Sequence, residues 1–213
     1  MDKKKVPSMV KDQQLVKKRR EQMVKGAVHL FKQKGFHRTT TREIAKESGF
    51  SIGTLYEYIG SKEDVLYLVC DSIYEEVHDR LKQYVDHSSS GIERLKQAIT
   101  SLFKVIDEMA DEVLVMYQEA KSLPKEALKY VLKKELDMTL FIEKIIRDCV
   151  NEGVLHLSEK DINLSAHNIM VSAHMWTFRR WVLQKQYTLE EYTNMQIELV
   201  LKGMVNTVSK EGD

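Results

Sequence analysis

Between residues 39 and 66 the chain reads TTTREIAKESGFSIGTLYEYIGSKEDVL, two short apolar helical patterns separated only by Ser48-Gly49-Phe50-Ser51. Neither persists alone, because helix nucleation is costly and an isolated helix needs roughly 12–15 residues to be even marginal in water. They must pack on something nearby. Their boundaries are chemically marked. Thr40-Thr41-Arg42-Glu43 has the form of a capping box, in which the Thr40 hydroxyl accepts from the third helical amide and Glu43 reaches back to the Thr40 amide. Ile44 and Ala45 then point inward, and Ser48-Gly49 ends the helix, since glycine takes the left-handed conformation common just past a helix end. Ser51 caps a third helix over 52–59, and Gly60-Ser61 breaks the chain again. Ser61-Lys62-Glu63-Asp64 opens a fourth helix, whose Val65, Leu66, Leu68, Val69, Ile73 and Val77 run toward Tyr84.

The surface they need precedes them. Over 20–34, Met23, Val24, Ala27, Val28, Leu30 and Phe31 recur at helical spacing until Gly35 stops the pattern. Packed there through Ile44, Ala45, Leu55 and Ile59, the two short helices complete a tri-helical unit with an exposed third helix. In a helix-turn-helix the second helix of such a pair enters the DNA major groove by its amino-terminal residues. Ser51 and Thr54 carry short hydroxyls, Gly53 permits close backbone approach, and Tyr56 and Tyr58 offer phenols to phosphate. Lys62 adds an ammonium beside helix-terminal amides that favour anions. Core packing is the alternative for each tyrosine, and Glu57 either accepts from a cytosine amine or faces solvent.

Charge divides the same way. The net charge of +1 hides 15 Lys+Arg against 6 Asp+Glu over 1–62, or +9, and 18 against 26 over the remainder, or −8. Such a split marks a polyanion-binding amino end joined to a domain with another task, a solvated basic tail being the alternative. With 43% hydrophobic and 31% charged residues the chain is an ordinary globular one, and nine Gly and two Pro leave so few breakers that the fold class is all-α. No stretch approaches the roughly 18 apolar residues of a membrane span, and the start lacks the apolar core of a signal peptide, so cytoplasmic residence is expected. Cys70 and Cys149 sit singly in apolar patterns and read as buried free thiols. There is no Gly-rich phosphate loop, nucleophile elbow or metal-ligand cluster, so neither an enzyme nor a cofactor is expected. His167 and His174 lie seven residues apart, about 10.5 Å along a helix axis, too far to share a zinc ion held by bonds of about 2 Å.

Beyond Tyr84, residues 86–91 read as a loop with a capping box from Ser90 to Glu93, followed by helical patterns over 92–109, 113–122, 124–151, 159–185 and 189–209. Pro124 suits a first helical turn. Met116, Tyr117, Tyr130, Phe141, Met170, His174, Phe178 and Arg179 are the candidates for a ligand pocket, joined by Met109 and Met175 as adaptable apolar surface. Plain core is the alternative for any one of them. Arg179 and Arg180 interrupt an apolar helix, where a guanidinium is costly unless paired; an acidic ligand, Glu119 or Asp148 would serve.

LFKQKGF (30–36), TTTREIAKESGFS (39–51) and IGTLYEYIGSKEDVL (52–66), in this order and spacing, resemble the DNA-binding domain of the TetR family of bacterial transcriptional regulators over 18–66. The resemblance implies DNA contacts from Thr40, Thr41, Arg42, Ser51, Gly53, Thr54, Tyr56, Tyr58 and Lys62. It also implies a homodimer on a palindromic double-stranded operator, with repression relieved by a small hydrophobic effector. The layout it implies is a basic flexible arm over 1–17, the helix-turn-helix over 18–66 and a sensing and dimerising domain over 67–213. Within that arm and just past it, the lysines and Lys17-Lys18-Arg19-Arg20 are candidate contacts to flanking phosphate or minor groove. Ile59 stands where the family usually has Phe, a harmless apolar swap, and Gly60 replaces a polar or basic residue, predicting a looser joint to the fourth helix. MYQEAKSLPKEALKYVLKKE and FRRW look like the carboxy-terminal domains of such regulators near fatty-acid-degradation genes, which makes acyl-CoA or another lipid the expected effector. Ile169, Ala173, Trp176, Trp181, Met195, Leu199, Val200 and Met204 supply either the dimer surface or intramolecular core. A helical adaptor binding another protein is the rival reading; it accounts for the helices but not for the charge split.

Overall fold

The computed structural model describes residues 6–84 and 91–205. All the regular structure among them is helical: α1 (Gln13–Lys34), α2 (Thr41–Glu47), α3 (Ile52–Tyr56), α4 (Lys62–Tyr84), α5 (Gly91–Glu108), α6 (Ala110–Glu119), α7 (Lys125–Asn151), α8 (Glu159–Phe178), α9 (Arg180–Gln186) and α10 (Leu189–Val205). The loop read over 86–90, with its Ser90 cap, lies outside the described residues, and Gly91, read with that loop, is the first residue of α5. The helices form two compact units, one of Met1–Ile73 with Asp111–Lys134, the other of Tyr74–Ala110 with Glu135–Asp213. The division falls inside α4, α6 and α7.

In the first unit α1, α2 and α3 bury the side chains that periodicity singles out: Met23, Ala27, Phe31, Ile44, Ala45, Leu55 and Ile59. α1 begins at Gln13, so 13–17 form its opening turns and not a flexible arm. The cause is Asp12, whose carboxylate accepts from the amides of Gln14 at 2.9 Å and Leu15 at 3.1 Å. Gly26 sits in the middle of this helix because α2 crosses there: a Cβ on Gly26 would lie 2.7 Å from Ser48 Oγ. Cys70 is buried, and burial pushes its thiol up to about 12.

In the second unit α5 presents Leu95, Ile99, Leu102 and Ile106, all buried, to α8 and α10. Trp176 on α8 donates its indole N–H to Asp107 at 2.6 Å, Tyr192 on α10 donates its hydroxyl to the Ser172 carbonyl at 2.8 Å, and the two rings stack 5.0 Å apart. Cys149 is likewise free and buried, its thiol raised to about 11 chiefly by desolvation. Among the later helices of the chain, α6 and α8 differ most from the sequence reading. The segment expected over 113–122 starts earlier, at Ala110, and its end tightens into a 3-10 turn at Ala120–Ser122. The helix expected over 159–185 breaks at Arg179, where the backbone turns to φ −105°, ψ 19° and the Arg179 amide is shared by the carbonyls of Met175 and Thr177.

Candidate nucleic-acid interface

The two short helices are fixed at both ends by the bonds their residues invite. Thr40 caps α2, with a reciprocal bond from its amide to Glu43 Oε2 at 2.9 Å. At the other end Gly49 adopts φ +76°, the Phe50 amide donates to the Ala45 carbonyl at 2.8 Å and the Gly49 amide to Lys46 at 3.1 Å. This is the paired 6→1 and 5→2 arrangement of a Schellman ending. Ser51 caps α3 through the Thr54 amide at 3.0 Å, and its hydroxyl meets Thr54 Oγ1 at 2.9 Å. α3 itself stops at Tyr56, shorter than the 52–59 read from the sequence, because Glu57 and Tyr58 close a tight turn onto the Thr54 and Leu55 carbonyls.

The exposed surface of this pair carries Thr40, Arg42, Ser51, Gly53 and Tyr56, with Thr41 and Thr54 half-buried beside them. Thr41 Oγ1 and Tyr56 Oη lie 3.0 Å apart and tie the start of α2 to the last residue of α3. Each hydroxyl keeps spare capacity, since it has one donor and two acceptor sites. Gly53 is instructive: an added Cβ would meet nothing closer than Ser51 Oγ at 3.7 Å. None of the described residues requires a glycine there, although glycine within a helix is less stable than alanine by roughly 0.5–1 kcal/mol.

Tyr58 is not on this surface. It is only 4% exposed, because the turn after α3 directs it inward beside Leu55 and Ile59. Lys62 is likewise engaged within the chain, donating to the carbonyls of Phe36 at 2.8 Å, Thr39 at 2.9 Å and His37 at 3.4 Å, while its ammonium lies 4.2 Å from the Phe36 ring centre. Three donors on three carbonyls clamp the turn that leads into Thr40. The other side of that turn is held too: the Phe36 amide donates to Glu119 Oε1 at 3.1 Å, and Ser122 Oγ lies 3.1 Å from His37 Nε2.

Gly60 does not loosen the joint to α4. Its amide and that of Ser61 both donate to Asp64 Oδ2, at 2.9 and 3.0 Å, and a Cβ on Gly60 would stand 3.1 Å from Pro7 Cγ. In the basic cluster Lys17 and Lys18 are exposed, whereas Arg19 stacks on the Phe50 ring and Arg20 donates to backbone carbonyls. Arg38, which no motif singled out, stands exposed in the turn before α2, and Lys46 is exposed on α2. The charge split was the only sequence signal for either. Glu43 bonds to Lys34, and with the two Thr40 bonds this lowers its carboxyl to about 2.

The eight pocket candidates are divided. Met116, Tyr117 and Tyr130 belong to the first unit, and Phe141, Met170, His174, Phe178 and Arg179 to the second. Tyr130 is buried with its hydroxyl donating to Asp71 at 3.1 Å, and Met116 is buried, but Tyr117 is 57% exposed. In the second unit the His174 and Phe178 rings lie 6.0 Å apart, and burial lowers the His174 pKa against the opposing pull of Glu135, 4.0 Å away. Met170 is buried and Phe141 half-buried. Arg179 is not a buried guanidinium seeking Glu119 or Asp148. The helix break turns it outward, where it stacks 5.4 Å above the Trp181 ring. A shallow groove between α5 and α10 is lined by other residues, among them Lys96, Thr100, Lys104 and Asn194.

The dimer candidates separate as well. Ile169, Ala173, Trp176 and Met204 are buried in the second unit, Val200 is half-buried, and Trp181, Met195 and Leu199 are exposed. Leu164, Val171 and Met175 extend the exposed apolar face along α8. No helix among the described residues is long and apolar enough to cross a membrane.

Comparison with known proteins agrees with this geometry. Residues 24–67 match the family described as bacterial regulatory proteins, tetR family, and residues 88–204 match the tetracyclin repressor-like carboxy-terminal domain. The HTH-type transcriptional regulator HbdR of Aromatoleum sp. strain CIB is 28% identical over 207 residues, covering 96% of this chain and 89% of that protein. The fatty acid metabolism regulator protein of Bacillus subtilis is 23% identical over 189 residues, covering 87% of this chain and 95% of its own. A similar solved structure, AibR in complex with isovaleryl coenzyme A and operator DNA, has a TM-score of 0.69 at 17% identity, covering 85% of this chain and 97% of that one.

Proposed function

This chain belongs to the TetR family of bacterial regulatory proteins, transcription regulators and not enzymes, and from that premise we propose that it is a cytoplasmic repressor. In this reading a homodimer binds a palindromic operator and an acyl-CoA or related lipid releases it. The observation that carries the DNA part is Gly53: an exposed helical glycine that no internal contact requires, flanked by the hydroxyls of Ser51, Thr54 and Tyr56 in the +9 part of the chain. A backbone bare of side chain at that point admits a DNA strand. Thr40, Thr41 and Arg42 would meet the neighbouring phosphates, with Arg38 and Lys46 adding charge; Tyr58 and Lys62 act by holding the frame.

The dimer part is supported by the apolar face of Leu164, Val171 and Met175 on α8 and Met195 and Leu199 on α10, which the chain itself leaves exposed. Large apolar side chains left exposed along two helices favour an association surface. Two copies would present their α3 helices to major-groove half-sites about 34 Å apart or a multiple of that. For the effector, the coenzyme A ligand of the AibR complex and the fatty-acid role in the name of the Bacillus relative both favour an acyl thioester. Phe141, Met170, His174 and Phe178 are the proposed lining for its acyl chain, and the outward Arg179 guanidinium is available to its phosphates. Release requires the effector to prefer the conformer whose half-site spacing does not match the operator.

Selection of duplexes from a random pool, then titration of the selected and a scrambled duplex at several salt concentrations, tests the reading. A steep salt dependence with retained preference for the selected duplex is expected, and added acyl-CoA should release the protein. Equal binding of both duplexes would dismiss an operator-reading role, and release by free coenzyme A alone would dismiss acyl recognition.

A further inference from the structure

The segment Val6–Val10 precedes every helix of the fold, yet it is bonded to the end of the recognition helix. The Met9 amide donates to the Glu57 carbonyl at 2.8 Å and Ser8 Oγ donates to the same oxygen at 3.2 Å. Arg20 on α1 joins the two elements: Nη2 donates to the carbonyls of Val6 at 2.9 Å, Pro7 at 3.2 Å and Tyr58 at 3.0 Å, and Nε to Tyr58 at 3.1 Å. Val6 is buried, and Pro7 lies so close to Gly60 that a Cβ there would stand 3.1 Å from Pro7 Cγ. Helix α3 is only five residues long, too short to set its own axis, and the carbonyls this strap and Arg20 occupy, those of Glu57 and Tyr58, belong to the turn that closes it.

We infer that Val6–Val10 is a strap that sets the pose of the recognition helix, and that Arg20 is a positioning residue acting through it and not a phosphate contact. The inference rests on the DNA-reading role proposed above. Bonds from one guanidinium to three carbonyls fix their directions together, since its donors form a planar fork, so they constrain an element that its own helical bonds cannot. The Met9 side chain is exposed, so exchange of this residue tests the strap through its backbone alone.

The test compares Met9→Pro, which removes the amide donor, with Met9→Ala, which keeps it, and with Arg20→Gln. In the full-length protein without DNA, amide hydrogen exchange over 55–59 should quicken in Met9→Pro and Arg20→Gln and stay as in the wild type in Met9→Ala. On duplexes selected by the wild type, both altered variants should lose about tenfold in preference over scrambled duplex, the equivalent of about 1.4 kcal/mol, with an unchanged salt slope. Combined, they should lose little more than the worse of the two, because they break one device. Unchanged exchange in Met9→Pro would overturn the strap whatever the DNA result. A salt slope smaller by about one in Arg20→Gln, with both duplexes weakened alike, would make Arg20 a phosphate contact. If Arg20→Gln does not fold, Met9→Pro still decides.

Discussion

The helix-turn-helix and the carboxy-terminal unit are built from the same residue types but handle their side chains in opposite ways. In the first, α2 has 7 residues and α3 has 5, and nearly every polar side chain near their ends is bonded within the unit: Thr40 to Glu43, Thr41 to Tyr56, Ser51 to Thr54, Lys62 and Arg20 to carbonyls. In the second, α5, α8 and α10 have 18, 20 and 17 residues; Ser158 with Asp161 and Thr188 with Glu191 cap the last two, but these two also leave large apolar side chains exposed. The first unit is thus a rigid polar frame with backbone laid bare at Gly53, suited to a polyanion. The second offers a greasy face, suited to another apolar surface.

The contrast is broken most severely by placing charge on the apolar face. Val171→Glu combined with Leu199→Glu should turn a dimer into a monomer by sedimentation and cost operator affinity by a hundredfold or more, roughly 2.7 kcal/mol, while helicity is retained. A monomeric wild type would remove the prediction's premise.

Lys62→Ala sharpens the view that the first unit's charges serve the frame. Three lost bonds to carbonyls should lower thermal stability and weaken operator binding by about 1–3 kcal/mol, with the salt slope unchanged. A slope reduced by about one would mean that the ammonium leaves its carbonyls for phosphate on DNA.

Gly53→Ala should move stability and function in opposite directions. Without DNA, the melting transition should rise, corresponding to up to about 1 kcal/mol, since the added Cβ finds only ordinary contact. Operator affinity should fall nevertheless. If both rise together, Gly53 does not face DNA.

The smallest effect is electrostatic. Glu43 titrates at about 2 in the folded chain against an ordinary 4.5, Lys34 being the leading cause. A depressed carboxyl contributes stability in full above about pH 4.5 and loses it as pH falls toward 2, because the unfolded chain binds the proton first. By NMR the Glu43 midpoint should move up toward 4.5 in Lys34→Ala. No movement would assign the shift to the Thr40 bonds alone.

How much of this was legible depended on the range of the interaction. The Thr40 and Ser51 caps, the Gly49 ending and the buried Ile44, Ala45, Leu55 and Ile59 follow from neighbours within four residues, and the structure repeats them. Tyr58 was ambiguous because an aromatic two residues after an exposed Tyr56 points inward or outward according to where α3 ends, and α3 ends early. Lys62 looked like a phosphate ligand because its acceptors, Phe36, His37 and Thr39, are more than twenty residues away. Gly26 was readable in principle, as a helix-interior glycine marks close approach, but its neighbour Ser48 was not. In the second unit periodicity predicted helices over about the right spans, yet it cannot tell a core face from an outer one when both are apolar, so Trp176 and Trp181 looked alike while one is buried and the other exposed.

The all-α class, the helix-turn-helix with its caps and glycine ends, the family, and the placing of positive charge in the amino-terminal part follow from the order of residues alone. These rest on local bonds, on helical period and on counting. The bonds of Lys62 and Arg20 to distant carbonyls, the reach of Val6–Val10 to the turn after α3, the outward Arg179, and the choice of which apolar residues of α8 and α10 remain uncovered emerge only from the folded chain. Each of those depends on where a distant carbonyl or side chain comes to rest, which packing sets and adjacency in the chain does not.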